Sequence, residues 1–176
     1  GKNITPSVVL IQDGKTKVGE IAKNQKIAFP ENTIEKVKRH IGDDKKTYMV
    51  DGDKHTPTSI SALILAHIKS YVEAHCKKTV TSAVISVPAN FGDAQRKETM
   101  EAAKMAGLNV EFIINEPTAA ALAYAKSSDK KRNGLYAIYD LGGGTFDCTL
   151  AKINGDDVDI VTSEGVSELG GSDFDQ

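Results

Sequence analysis

The residues best suited to chemistry lie close together, in Tyr139-Asp140-Leu141-Gly142-Gly143-Gly144-Thr145-Phe146-Asp147. An apolar strand delivers one acid to its end, three glycines turn the chain, and Thr145 leads into a second strand carrying another acid. Glycines permit positive φ and let the backbone approach a ligand without a Cβ clash. Successive N–H groups in such a turn form a concave anion site. Thr145 adds a hydroxyl, and Asp140 and Asp147 can hold a hydrated cation beside phosphates. The predicted chemistry is nucleotide phosphate with Mg2+. Neither common phosphate fingerprint fits this turn: its glycines are not followed by Lys-Ser/Thr, and Asp147 stands where G-x-G-x-x-G needs its last glycine. The competing reading is a glycine hairpin that only shapes a sheet edge. Three glycines between two acids weigh against it.

The elements that must position this turn read as mixed α and β with short connections. Val8 to Ile11 is a strand, Asp13-Gly14 a turn, and a second short strand ends near Val18. A short helix is expected over 20–28, and another from Thr33 to Ile41 with Asn32 as its cap and Gly42 past its end. Tyr48–Val50, Asp51-Gly52 and Lys54–Thr56 form a small hairpin closed by Pro57. The clearest helix runs from Ser59 to Lys77 with Thr58 as cap. Its expected buried face holds Ile60, Leu63, Ile64, His67, Ile68, Tyr71, Val72 and His75. A strand over Val80–Val87 ends at Pro88, and a helix follows from Asp93 to Met105. Val110–Ile114 is a strand, and an Ala-rich helix runs from Pro117 to Ala125. Beyond a polar, Lys-rich stretch, Leu135–Asp140, Thr145–Ile153 and Val158–Ser163 are three consecutive strands.

Composition narrows the function. Among 176 residues, 22 basic and 24 acidic side chains leave a charge of -2, without the basic excess that general nucleic-acid binding needs. No apolar run approaches the ~20 residues that span a bilayer, so no membrane partner is expected. Two cysteines, Cys76 and Cys148, are too few for a disulfide scaffold and favour a reducing compartment. They are read as packing residues. His67 and His75 lie eight apart, too far for an i, i+4 metal pair, and are read as core or boundary residues. The chain opens Gly-Lys-Asn without Met and stops as a new element begins, so it reads as part of a larger protein.

Asp140 to Asp147 closely resembles the second phosphate-binding segment of the heat-shock protein 70 chaperones (the DnaK type). Flanking segments extend the resemblance across essentially the whole chain. Ile114-Asn115-Glu116-Pro117-Thr118-Ala119-Ala120-Ala121-Leu122-Ala123-Tyr124 looks like the family's inter-lobe connection. Val87-Pro88-Ala89 with Asp93-Ala94-Gln95-Arg96 matches too, as do Thr5-Pro6-Ser7, Val18-Gly19 and Asn32-Thr33. Lys38-Arg39 with Ile41-Gly42, and Leu169-Gly170-Gly171 with Asp173-Phe174-Asp175, follow in the same order.

The resemblance implies an α/β fold of the actin-like, ribonuclease H-like ATPase type, with mixed sheets, flanking helices and truncation at both ends. Residues 1–125 would form most of the first lobe, 126–134 a polar linker, and 135–176 the start of the second lobe without its covering helices. It implies ATP or ADP, Mg2+ and K+ as cofactors, and hydrolysis coupled to capture and release of unfolded polypeptides by a missing domain. Lys38 takes the place of the catalytic lysine, and Glu116 that of a carboxylate near the metal's water shell. Asp140, Thr145 and Asp147 match residues around metal and nucleophilic water, with Asp140 or Asp147 as proton acceptor. Gly142, Gly143 and Gly144 match the phosphate cradle, and Pro88 and Arg96 the relay between lobes. Without the resemblance, Lys38 would be a solvated charge, Glu116 a helix-start acid and Pro88 a strand terminator. A J-domain co-chaperone and a nucleotide exchange factor are the implied partners, and the cytoplasm the implied setting.

Three features depart from the family pattern. Asn90 stands where Tyr is general, and Phe112 where many members carry a basic residue used in J-domain docking; Asn115 and Thr118 are retained. The stretch between Gly42 and Thr58 is short. Asn90 and Phe112 motivate an alternative: a divergent, non-hydrolysing chaperone partner or exchange factor. A sugar or acetate kinase of the same superfamily is disfavoured by the segment around Glu116.

Overall fold

The computed structural model describes residues 4–127 and 132–174. Packing divides the chain into two compact units, Gly1–Ala83 with Asp93–Glu111, and Val84–Gly92 with Phe112–Gln176. The boundary runs through strands β6 (Ser82–Val87) and β7 (Asn109–Asn115), which pair as a two-stranded sheet.

In the first unit, β1 (Val8–Gln12) lies between β2 (Lys15–Val18) and β3 (Thr33–Glu35), antiparallel to both. Its continuous apolar run is explained by burial on both faces. Val9 and Ile11 join Val18, Ile34, Val37, Val50, Ile60 and Ile64 in the main core. Val8 and Leu10 pack on the other side with Ala22 of helix α1 (Glu20–Gln25) and with Phe29. Two tight turns close hairpins: Asp13-Gly14 (φ 51° and 67°) joins β1 to β2, and Asp51-Gly52 (φ 55° and 84°) joins β4 (Tyr48–Val50) to β5 (Asp53–His55). Positive φ at both central residues suits the strand twist and favours Asp-Gly. The stretch between Gly42 and Thr58 contains only this minimal hairpin.

Three sequence expectations change here. No helix spans Thr33–Ile41: Thr33–Glu35 pairs as β3, and a single 3-10 turn covers Val37–His40. Pairing with β1 captures Ile34 in the core, and tertiary burial overrides the local helical pattern. Pro57 opens helix α2 (Pro57–Cys76) rather than merely closing the hairpin, and Thr56, not Thr58, is its cap. The Thr56 hydroxyl accepts the Ser59 N–H, and Ser59 Oγ accepts the Thr56 N–H, a reciprocal capping box. Finally, only the first half of α2 is buried. Ile60 and Ile64 are in the core, whereas His67, Ile68, Tyr71, Val72 and His75 are exposed. A helix of this length runs about 30 Å, while five-residue β1 covers about 17 Å.

Helix α3 (Asp93–Met105) packs beside α2 and ends before Gly107, whose φ is +73°. Ala102 and Ala103 form its buried contact.

The second unit is built on an antiparallel meander of β8 (Asn133–Leu141), β9 (Phe146–Asn154) and β10 (Asp157–Val166), with β9 central. Strict alternation puts Asp147, Thr149, Ala151 and Ile153 of β9 on its buried face. Helix α4 (Glu116–Lys126) packs against all three strands, with Ala121 and Ala125 buried. One face of the sheet is therefore covered by a helix that precedes the strands in the chain. On the other face Leu135, Tyr139 and Leu141 are exposed. A bulge between Ile160 and Thr162 shifts the β9–β10 register. The short helix α5 (Gly171–Phe174) follows.

The polar stretch expected over 126–134 is shorter in the fold. Lys126 ends α4, Asn133 and Gly134 begin β8, and residues 128–131 lie outside the described residues. Arg132 is held against α4: its guanidinium stacks 3.9 Å from the Tyr124 ring centroid and donates to Tyr124 Oη at 2.7 Å. Cys76 and Cys148 are both exposed, so neither is a packing residue.

Candidate active site

Register brings the two acids together. Asp140 of β8 and Asp147 of β9 are direct partners across the antiparallel ladder. Directly opposed residues project from the same face of a sheet, with Cβ atoms about 5 Å apart. Asp147 is only 1% exposed, and Asp140 is half-buried at the strand end. Gly165 of β10 opposes Asp147 on the other side. A Cβ there would sit 2.5 Å from Asp147 Oδ1 and 2.7 Å from the Phe146 carbonyl oxygen. Gly165 thus makes the space that the Asp147 carboxylate fills.

Between the acids, the Gly142 N–H donates to the Thr145 carbonyl at 2.9 Å and closes the turn. Thr145 is buried. Gly142 and Gly143 take no left-handed φ, so positive φ is not what these two glycines provide. Close approach is. A Cβ on Gly143 would meet nothing within 4 Å, so its backbone faces open space that a side chain would otherwise occupy. A phosphate fits such a bare turn, and the paired acids supply oxygen donors for a hydrated Mg2+. Among the described residues no three His, Cys, Asp or Glu gather as a ready-made metal cage. Mg2+ characteristically takes one or two carboxylates together with substrate phosphates rather than a cage of protein ligands.

Glu116 opens α4 as its first residue, followed by Pro117, and is half-buried. The helix-start position predicted on dipole grounds is the one it occupies. Asn115, at the cap position, makes no capping bond through its side chain. Pro88 ends β6 as a fully buried side chain, and its carbonyl accepts the Phe91 N–H at 3.2 Å. Asn90 Nδ2 donates to Ser167 Oγ at 3.2 Å, just past β10. Phe112 is 72% exposed on β7.

Lys38 and Arg96 belong to the first unit. Lys38 is exposed on the Val37–His40 turn, which Lys36 enters with φ 57°. The exit of that turn is clasped: Glu98 Oε2 accepts the Gly42 N–H at 3.0 Å and the Thr58 hydroxyl at 2.7 Å. Arg96 is half-buried on α3, two residues before Glu98. Glu98 had no motif to announce it, because its role depends on a contact 56 positions away.

A family model described as Hsp70 protein matches residues 1–55 and 43–176. The chain belongs to the Hsp70 family. The match spans both units, so the elements carrying Lys38 and those carrying Asp140–Asp147 all fall within Hsp70 sequence. Its mixed α/β architecture of several small sheets with helices is compatible with an Hsp70 ATPase domain.

Proposed function

We propose that this Hsp70 chain forms part of an actin-like, ribonuclease H-like ATPase domain in a molecular chaperone. Most of the first lobe is assigned within residues 1–125 and the start of the second within 135–176, with the linker confined to the stretch between α4 and β8. The observation that carries the reading is the opposed pair Asp140 and Asp147 flanking a bare glycine turn.

In the proposed reaction, water attacks the γ-phosphorus of ATP while the bond from that phosphorus to the ADP oxygen breaks. The water's proton passes to Asp140 or Asp147. Backbone N–H groups of Gly143 and Gly144 hold phosphate oxygens, Gly142 shapes the cradle through its own bond to the Thr145 carbonyl, and the Thr145 hydroxyl orients water. Lys38 steadies the γ-phosphate and the attacking water, and Glu116 acts in the metal's water shell. Bound Mg2+ would offset phosphate charge, and K+ would add a second cation. Almost all of such catalysis is positioning plus electrostatics, which side chains fixed on ladders and helix starts supply well. Pro88 and Arg96 are assigned to the relay that passes nucleotide state to a peptide-binding domain. Unfolded polypeptides, a J-domain co-chaperone and a nucleotide exchange factor, in the cytoplasm, complete the proposal.

The test is single-turnover ATP hydrolysis by the full-length protein and its Lys38→Ala variant. The expected result is measurable hydrolysis in the wild type and a loss of about 10²–10³-fold in the variant, the size typical of one lost electrostatic contact. An intact wild type without turnover would instead favour the non-hydrolysing partner or exchange factor that Asn90 and Phe112 suggest.

A further inference from the structure

We infer that the turn Leu169–Asp173 is a second wall of the phosphate site, and that Gly170 is a positioning residue that orients the Gly142–Gly144 peptides. The inference rests on the ATPase reading above and deepens it. Two hydrogen bonds join the turns: the Gly171 N–H donates to the Gly142 carbonyl at 2.9 Å, and the Ser172 N–H to the Gly143 carbonyl at 3.0 Å.

Their consequence follows from the planar trans peptide, in which C=O and N–H point in opposite directions. The peptide that carries the Gly142 carbonyl also carries the Gly143 N–H, and that of Gly143 carries the Gly144 N–H. No peptide bond in the described residues is cis. Holding both carbonyls against residues 171–172 therefore turns both N–H groups to the opposite side. That is the side a phosphate must approach. A run of glycines has more orientations open to it than any other sequence, and a neighbouring wall removes the unproductive ones.

Gly170 makes the wall possible. It is buried, its N–H donates to Asp173 Oδ2 at 2.8 Å, and its carbonyl accepts the Asp173 N–H at 2.9 Å. A Cβ at this position would lie against the Gly144 nitrogen, 2.5 Å from the Gly143 carbonyl carbon and 2.6 Å from its oxygen. All three are backbone atoms of the phosphate turn. Gly170 has no left-handed φ, so alanine is allowed by its own backbone and excluded only by that peptide. At Gly143, by contrast, a Cβ would meet nothing within 4 Å, so the turn is packed where it meets Gly170 and open at the Gly143 Cα.

The experiment compares wild type, Gly170→Ala and Gly171→Pro in the full-length protein, measuring calorimetric affinity for ADP and for adenosine. Apo thermal unfolding is recorded alongside. Gly171→Pro removes the N–H that the Gly142 carbonyl accepts and puts the ring Cδ where that hydrogen pointed, so it displaces the Gly142–Gly143 peptide from the wall. Gly170→Ala is expected to weaken ADP binding about tenfold or more, and Gly171→Pro about three- to tenfold, the worth of displaced or lost hydrogen bonds. Adenosine affinity should hold, so the preference for the diphosphate over the nucleoside shrinks. A general folding defect would not produce that selective change. Should Gly170→Ala fail to fold, Gly171→Pro decides the matter by the same ratio. Wild-type ADP affinity in the folded variants overturns the inference while leaving the ATPase reading intact, as does equal loss of ADP and adenosine. A wild type that binds no nucleotide overturns both.

Discussion

Asp140 and Asp147 in the second unit and Lys38 in the first are held by different physics. The acids are set by a β ladder: once β8 pairs with β9 in register, Asp140 must face Asp147, and a slip of one residue would send a side chain to the other face. Lys38 rides on one 3-10 turn, a form with strained hydrogen bonds and little stability of its own. Its placement depends on contacts from elsewhere, among them Val37 in the main core and the Glu98 clasp on Gly42. A ladder positions a site through many small, redundant bonds. A clasp concentrates two long-range bonds in one carboxylate.

The comparison can be broken first at the ladder. Gly165→Ala puts a Cβ into the Asp147 carboxylate and the Phe146 carbonyl. Overpacking of this kind costs about 1–3 kcal/mol, and because backbone cannot yield, the upper end is expected. Denaturant unfolding measures it, and hydrolysis should fall with it. An unchanged midpoint would mean that β10 can move away without disturbing Asp147.

The clasp is tested next. Glu98→Ala leaves the Gly42 N–H and the Thr58 hydroxyl without their acceptor, for a loss of about 2 kcal/mol. Hydrolysis should fall beyond the change in folded fraction, because the Lys38 turn loosens. Equal hydrolysis per folded molecule would show that the turn holds without Glu98.

A smaller effect sharpens the contrast. Thr56→Ala removes one half of the α2 capping box and should cost about 1 kcal/mol. It lies far along the chain from Asp140 and Asp147, so ADP affinity of the folded protein should be unchanged. Calorimetry on the variant checks both statements.

The smallest expected effect is a pH dependence in the first unit. Burial pushes the Tyr48 phenol above its ordinary value of 10.0. The folded state then binds the proton more tightly than the unfolded state does. The resulting stabilisation is whole below the unfolded value and is lost as pH rises through the folded one. Unfolding midpoints taken from about pH 9 to 11 should drop, and Tyr48→Phe should flatten that drop. Equal slopes in the two proteins would assign the loss to other groups.

Much of this was legible in advance. Strand β1, both Asp-Gly turns, the Asp93–Met105 helix and the three final strands follow from local period and turn chemistry. So does the acid–glycine–acid turn, because its logic is contained within nine neighbouring residues. The Thr33–Ile41 stretch misled because its helical pattern was local, while the pairing of Ile34 with Val9 was not. The outer half of α2 misled because periodicity reveals which residues share a face, but not how far the opposing sheet extends.

The sequence alone determined the family, the mixed α/β class and the candidate chemistry, since each rests on residue types in a fixed order along one chain. Only the tertiary structure decided that Asp140 opposes Asp147, that Gly165 and Gly170 are glycines for want of space, and that Glu98 clasps the Lys38 turn. These are contacts between distant residues. A missing side chain leaves no chemical signature in a sequence, and its reason becomes visible only when the atom that would collide with it is in place.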